Sequence, residues 1–172
     1  MQRPSVDLMG KERPQIVIAG GGVAALEVLL GLRLLLGEDA EITLISPQDE
    51  FVYRPMAITE PFGGPAMPTF DLTELLVDQR PQLIHDSLTA IDPVNRVATT
   101  TAGRELPFDK AVVAIGAHAE PVVERALTFT GGPRVEAMAG VLDEVAAGQV
   151  RRIAFVSPGG AVWPLPLYEL AL

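Results

Sequence analysis

The chain has 172 residues, 48% of them apolar and 20% charged, enough for one domain of ordinary size with a real core. Its formal net charge of -9, with thirteen scattered Lys and Arg, excludes nucleic-acid binding as the main business, because neutralising phosphates needs clustered cations. Cysteine is absent, which removes disulfides, thiolate metal sites and Cys nucleophiles from this stretch; His85 and His118 lack metal-ligand spacing, so no metal site is expected. No run reaches the roughly 18 apolar residues of a membrane span, and the polar N-terminal residues lack an apolar signal region. A bacterial-type cytosol is the default location, with peripheral attachment at the inner face of a membrane left open.

In chain order, an apolar strand at Gln15–Ala19 runs into Gly20-Gly21-Gly22-Val23-Ala24-Ala25. An Ala/Leu-rich pattern then predicts a helix over 22–36, closed by Gly37, and a second strand follows over 41–46. This is a complete βαβ unit with a G-x-G-x-x-A fingerprint, the form in which a strand delivers helix N-terminal N–H groups to a dinucleotide pyrophosphate. Gly20 can turn sharply off the strand, Gly22 lets the ligand approach bare backbone, and Ala25 is small enough for close helix-to-strand packing. Gly21, Val23 and Ala24 complete the binding turn. The alternative reading of these residues is a Gly-rich turn between an ordinary strand and helix. Leu26, Val28, Leu29, Leu30 and Leu34 give the helix the apolar surface expected when it is sandwiched against a parallel sheet.

Ser46 and Pro47 end the second strand, where the fingerprint expects an acid for the adenosine ribose. A hydroxyl can still hydrogen-bond ribose, but without the charge-assisted bond a carboxylate gives. Asp49 and Glu50 lie just beyond and read as solvated loop acids. The Pro-, Gly- and aromatic-rich connection that follows, from Phe51 to Pro65, has a length typical of functional loops. Asp71 with Glu74 three residues on predicts a short helix over 72–79. Four strand signals at 83–86, 87–91, 96–101 and 105–108 predict a small antiparallel meander. The apolar run from Lys110 to Ala117 predicts another buried parallel strand.

A looser connector with a helix over 134–147 leads to an expected second buried strand over 152–157. Gly159-Gly160 and a helical pattern over 165–172 then echo the first unit. The expected division is a polar extension 1–14, a dinucleotide-binding segment 15–120, a connector 121–150, and the truncated start of a second similar domain 151–172. The expected fold class is α/β, a doubly wound Rossmann-like parallel sheet with an antiparallel β-meander crossover.

Three segments resemble, in order, the two-dinucleotide-fold flavoproteins of the pyridine nucleotide-disulfide oxidoreductase class. They are the Gly20-Gly21-Gly22 turn; Ile42-Thr43-Leu44-Ile45-Ser46 followed by Phe51-Val52-Tyr53-Arg54-Pro55; and Phe108 through Ala117. The likeness is nearest to the sulfide:quinone oxidoreductase and type II NADH dehydrogenase branch. It implies FAD as the cofactor and makes Ser46 ordinary at its position. It also implies Arg54 and Pro55 near the isoalloxazine, Leu88 near the adenine through its backbone, and Ala114, Ile115 and Gly116 near the pyrophosphate or ribityl chain. Glu169 matches a family glutamate that approaches the flavin, and would serve as the catalytic proton relay.

Two departures accompany the likeness. Where the family's sulfur-carrying cysteines belong, this chain reads Ala137-Met138-Ala139 and Ala161-Val162-Trp163, so sulfide oxidation and disulfide reduction are not expected. The second glycine motif, Ser157-Pro158-Gly159-Gly160-Ala161-Val162-Trp163-Pro164, lacks G-x-G-x-x-G spacing and sets a tryptophan where phosphate must meet backbone. The implied function is an FAD-dependent oxidoreductase that takes electrons or hydride from a small donor and passes them to quinone or another small acceptor. The alternative is a non-catalytic FAD- or nucleotide-binding module. A homodimer is left open.

Overall fold

A computed structural model describes residues 13–117, 121, 123–129, 134–157 and 165–172. The chain divides into two compact units, Met1–Phe51 with Thr69–Ala117, and Val52–Pro68 with His118–Leu172. In chain order the elements are β1 (Gln15–Ala19), α1 (Val23–Leu36), β2 (Glu41–Ser46), β3 (Glu50–Val52), a 3₁₀ helix (Arg54–Phe62), β4 (Thr69–Asp71), α2 (Leu72–Leu75), β5 (Gln82–His85), β6 (Leu88–Asp92), β7 (Val97–Thr100), β8 (Glu105–Pro107), β9 (Lys110–Val113), α3 (Val135–Ala146) and α4 (Leu165–Ala171).

The first unit is built on a parallel sheet of order β5-β2-β1-β9. Ile16, Val17, Ile18 and Ala19 of β1 are all buried, because this central strand is covered on both faces. On one face Ala25, Leu26 and Leu29 of α1 pack with Ile16, Ile18, Ile42, Leu44, Leu72 and Leu76. On the other, Val17 and Ile45 meet Ala98, flanked by Leu88, Ile91, Leu106 and Phe108 of the antiparallel β6-β7-β8 meander. Helix, parallel sheet and meander therefore form three layers, and each fully buried Leu or Ile contributes roughly 1.5–3 kcal/mol. At the amino end of the sheet the Asp109 N–H donates to the Gln15 carbonyl and the Gln15 N–H to Asp109 Oδ2, both at 2.8 Å, which sets the register of β9 on β1.

The α1 C-terminus is held by one side chain. Arg33 Nε donates to the Gln79 carbonyl at 2.7 Å, and its Nη1 donates to the carbonyls of Gly37 and Ala40, each at 2.9 Å. Its stem lies half-buried on the helix, so one guanidinium closes α1 and ties together the start of β2 and the turn after α2.

Several expected elements differ. Residues 82–85 are not the first meander strand; they pair in parallel with β2, Ser46 standing opposite His85, and Asp86 then turns the chain into the meander. The helix expected over 72–79 is a single turn, Leu72–Leu75, continued by looser turns to Arg80, which sits at φ 46°. The last strand stops at Val113 and is an edge strand, with Val113 exposed rather than buried. On α1, Leu30 and Leu34 point away from the sheet, because one flat sheet can cover only one stripe of a helix.

In the second unit the 3₁₀ helix packs against α3 and α4, burying Ala57, Pro61, Met138 and Leu170. Glu60 Oε1 accepts the Met67 N–H at 2.6 Å and folds the following Pro- and Gly-rich segment back on itself. Residues 151–157 form no strand and are exposed, contrary to expectation; a parallel strand needs a neighbour to bond, and none pairs with it among the described residues. The Gly159-Gly160 motif and Trp163 lie outside the described residues.

Candidate functional site at the carboxyl end of the parallel sheet

From β1 the chain builds outward to β2 and then β5, and it returns on the opposite side of β1 as β9. The strand order therefore reverses at the carboxyl end of β1, the position at which open α/β sheets present a ligand crevice. Gly20, Gly21 and Gly22 occupy that point, and α1 starts from it.

Each glycine there has its own reason. Gly20 has φ 127°, and a Cβ on it would run into the Ala114 carbonyl, whose own N–H donates to the Ala19 carbonyl at 2.8 Å. The Gly20 N–H donates to the Ile45 carbonyl at 2.8 Å, so β1, β2 and β9 are drawn together at one spot. A Cβ on Gly21 would strike the Ser46 hydroxyl and meet Leu72 Cδ1 at 3.2 Å. Gly22 differs: its φ of -91° suits any residue, and a Cβ would meet no atom within 4 Å among the described residues. Packing among the described residues gives no reason for glycine at position 22.

Gly22 is the N-cap of α1, with no side-chain cap and no acid in the first turn. The positive end of a 14-residue helix therefore opens on this space without a compensating charge of its own. Val23 and Ala24 are exposed there, and Ala25 is fully buried beneath them.

Ser46 is fully buried under Gly21. Its Oγ donates to the Gln48 carbonyl at 2.8 Å and accepts the Gln48 N–H at 3.2 Å, so the hydroxyl is engaged within the loop it ends. Pro47 is exposed next to it, and Ile115 and Gly116, the latter at φ 79°, continue β9 into solvent. Leu88 begins β6 on the meander side, its side chain packed against Val17 and Ile45. Arg54, Pro55 and Glu169 belong to the second unit: the first two open the 3₁₀ helix and Glu169 lies on α4, all three exposed.

Two features of this region escaped the sequence reading. Leu72, fully buried, forms the floor below Gly21 through a packing contact that no motif announces. Asp49, read as a solvated loop acid, is paired with His85 Nδ1. Their separation of 36 positions hides the pairing until the β2/β5 register is known.

The profile of the pyridine nucleotide-disulphide oxidoreductase family matches residues 14–144, from the first strand through most of α3. The chain belongs to this family. Among the family's relatives, it is 28% identical over 112 residues to the sulfide-quinone reductase of Aquifex aeolicus (strain VF5), covering 59% of this chain and 24% of that protein. The solved sulfide:quinone oxidoreductase from the hyperthermophilic bacterium Aquifex aeolicus superposes with a TM-score of 0.71 at 27% identity, over 92% of this chain and 38% of that one. NADH:rubredoxin oxidoreductase from Clostridium acetobutylicum, 17% identical, shares the fold with a TM-score of 0.58 over 91% of this chain and 42% of that one. The chain thus spans about a quarter of the length of its curated relative. The α/β fold with its parallel sheet is that of the family's oxidoreductases. Among the described residues, no helix is long and apolar enough to cross a membrane.

Proposed function

We propose that this chain carries the FAD-binding segment of an FAD-dependent oxidoreductase, its pyrophosphate site at Gly20 to Ala25. The observation that carries the reading is Gly22, a glycine that the fold does not require, placed at an uncapped helix N-terminus on the reversal point of the sheet. Bare backbone is what a pyrophosphate needs in order to reach the first-turn N–H groups, and the helix end favours its negative charge. The residues present fit the group.

When bound, FAD supplies hydride and electron transfer that no side chain here can perform. Gly21, Val23 and Ala24 hold the phosphates, and Ala25 lets α1 approach the sheet closely enough to aim them. Ser46 and Pro47 shape the adenosine end, with Ser46 acting as a packed floor. Ala114, Ile115 and Gly116 border the cleft on the β9 side, Leu88 offers its backbone, and Arg54 and Pro55 are assigned to the isoalloxazine. Glu169, exposed on α4, is assigned the proton relay.

A small donor and a small acceptor follow from the class, with quinone the acceptor that the name of the sulfide-quinone reductase offers. A quinone acceptor calls for peripheral contact with a membrane. With no Cys in these 172 residues, a sulfur-carrying step has no thiolate to use within the chain. The test is flavin binding followed by reduction with a panel of small donors. Bleaching of the bound flavin by one of them is expected; a flavin that binds but that no donor reduces favours the non-catalytic module.

A further inference from the structure

Two unsatisfied features of the chain match each other. The first is the outer side of β9, which ends the β5-β2-β1-β9 order and bonds no strand beyond it among the described residues. The Ala114 N–H donates to the Ala19 carbonyl, so by the alternation of a strand the N–H and C=O groups of Ala111 and Val113 point away from β1, to the open side. Val113 and Ile115 are 54% and 68% exposed along it. Beyond Lys110 this edge carries none of the charges, prolines or bulges that blunt natural edges, and it stands as a template for another strand.

The second feature is the run Arg152-Ile153-Ala154-Phe155-Val156-Ser157. Continuous apolar runs of this kind belong to parallel strands covered on both faces, yet residues 151–157 are exposed and pair with nothing among the described residues. Ile153, Phe155 and Val156 are 43%, 38% and 56% exposed. Within one chain the edge and the run both stay unpaired, and a second copy offers each its complement. Charge chooses the direction. An antiparallel strand would bring Arg151 and Arg152 to the carboxyl end of the sheet, beside the uncapped positive end of α1. A parallel strand sets them at the amino end by Asp109, whose Oδ2 accepts the Gln15 N–H and whose Oδ1 has Arg96 Nη1 only at 3.9 Å, leaving room for a closer guanidinium.

We infer that residues 152–157 of one copy add to β9 of a second copy as a fifth parallel strand, with Val156 beside Val113 and Arg152 beside Asp109. The exchange is reciprocal, because each copy carries one run and one edge, and it closes as a two-fold dimer. FAD plays no part in it.

The chain has no cysteine, so introduced thiols report only the contact they are placed to meet. Val113→Cys and Val156→Cys, both at exposed positions, are purified separately, mixed and mildly oxidised. Neighbouring strands lie about 4.8 Å apart, within the reach of a disulfide. A crosslinked species of two chains is expected from the mixture, in far higher yield than from either variant alone. Sedimentation equilibrium of the wild-type chain should give twice the monomer mass. Val113→Lys and Phe155→Glu should each raise the dimer dissociation constant at least about tenfold while circular dichroism stays unchanged. A monomeric wild-type chain, a mixture that yields no crosslink, or a dimer indifferent to both substitutions overturns the inference. A disulfide that forms only inside single chains of the double variant, Val113→Cys with Val156→Cys, assigns the run to its own edge and overturns the second copy.

Discussion

The three glycines of the first turn separate what the fold needs from what a ligand needs, and substitution can tell them apart. Gly20→Ala forces a side chain into positive φ and against the Ala114 carbonyl, so a loss of about 2 kcal/mol or more is expected in chemical denaturation. Gly21→Ala collides with the Ser46 hydroxyl and should likewise destabilise. Gly22→Ser meets open space and adds an N-cap hydroxyl, so stability should hold or rise by a few tenths of a kcal/mol. The same change should weaken FAD binding by at least about tenfold, since a side chain would now stand where phosphate approaches bare backbone. FAD affinity that survives Gly22→Ser would contradict the role given to that glycine. At this scale the fingerprint was legible because Gly20, Gly21 and Ala25 answer local steric demands, while Gly22 leaves backbone bare for a ligand. Ser46 was legible in place but not in state: only the structure shows its hydroxyl turned to Gln48. The Asp49–His85 contact was hidden, because it depends on a strand register rather than on a spacing.

Among the elements, α1 shows which of its leucines carry stability. Leu29 is fully buried against the sheet, and Leu29→Ala should cost about 2–5 kcal/mol, whereas Leu34→Gln, at an 86% exposed position, should stay within about 0.5 kcal/mol. Arg33→Ala leaves the carbonyls of Gln79, Gly37 and Ala40 without their donor and should cost about 2 kcal/mol by urea denaturation. The meander has a pH signature. Hydrogen bonds from Thr100 and from the Ala102 and Ser87 amides hold Asp86 below the ordinary aspartate range, and bonds from Asn95 and the Val94 amide do the same for Asp92. With folded pKa values depressed, their stabilisation is present above the unfolded value of about 4 and is lost as pH falls through the lower folded values. Thermal midpoints should therefore drop on acidification below about pH 4, and the drop should be smaller in Asp86→Asn and Asp92→Asn. The βαβ unit and the three meander strands were legible from apolar runs and turn residues. The run 83–86 was assigned to the wrong sheet because a short apolar run does not state its partner, and residues 152–157 show that such a run forms no strand where none pairs with it among the described residues.

At the scale of the whole molecule, composition and the order of segments sufficed for the fold class, since an apolar strand, a glycine turn and an apolar helix leave little choice but a parallel sheet with a layer on each face. The middle of the chain was less legible: the connection from Phe51 to Pro65, read as a loop, contains the 3₁₀ helix Arg54–Phe62, which packs within the second unit against α3 and α4. The first strand, the α1 N-terminus and the returning β9 all lie in one unit, so the proposed pyrophosphate site is carried by that unit alone. The most direct measurement is a visible absorption spectrum of the protein purified without added cofactor, repeated after FAD is supplied and the excess removed by gel filtration. A protein-bound flavin spectrum in the wild-type chain, absent from Gly22→Ser under the same treatment, is the expected result. A wild-type chain that stays colourless after FAD is supplied, while remaining folded, would contradict the assignment of this cleft to FAD.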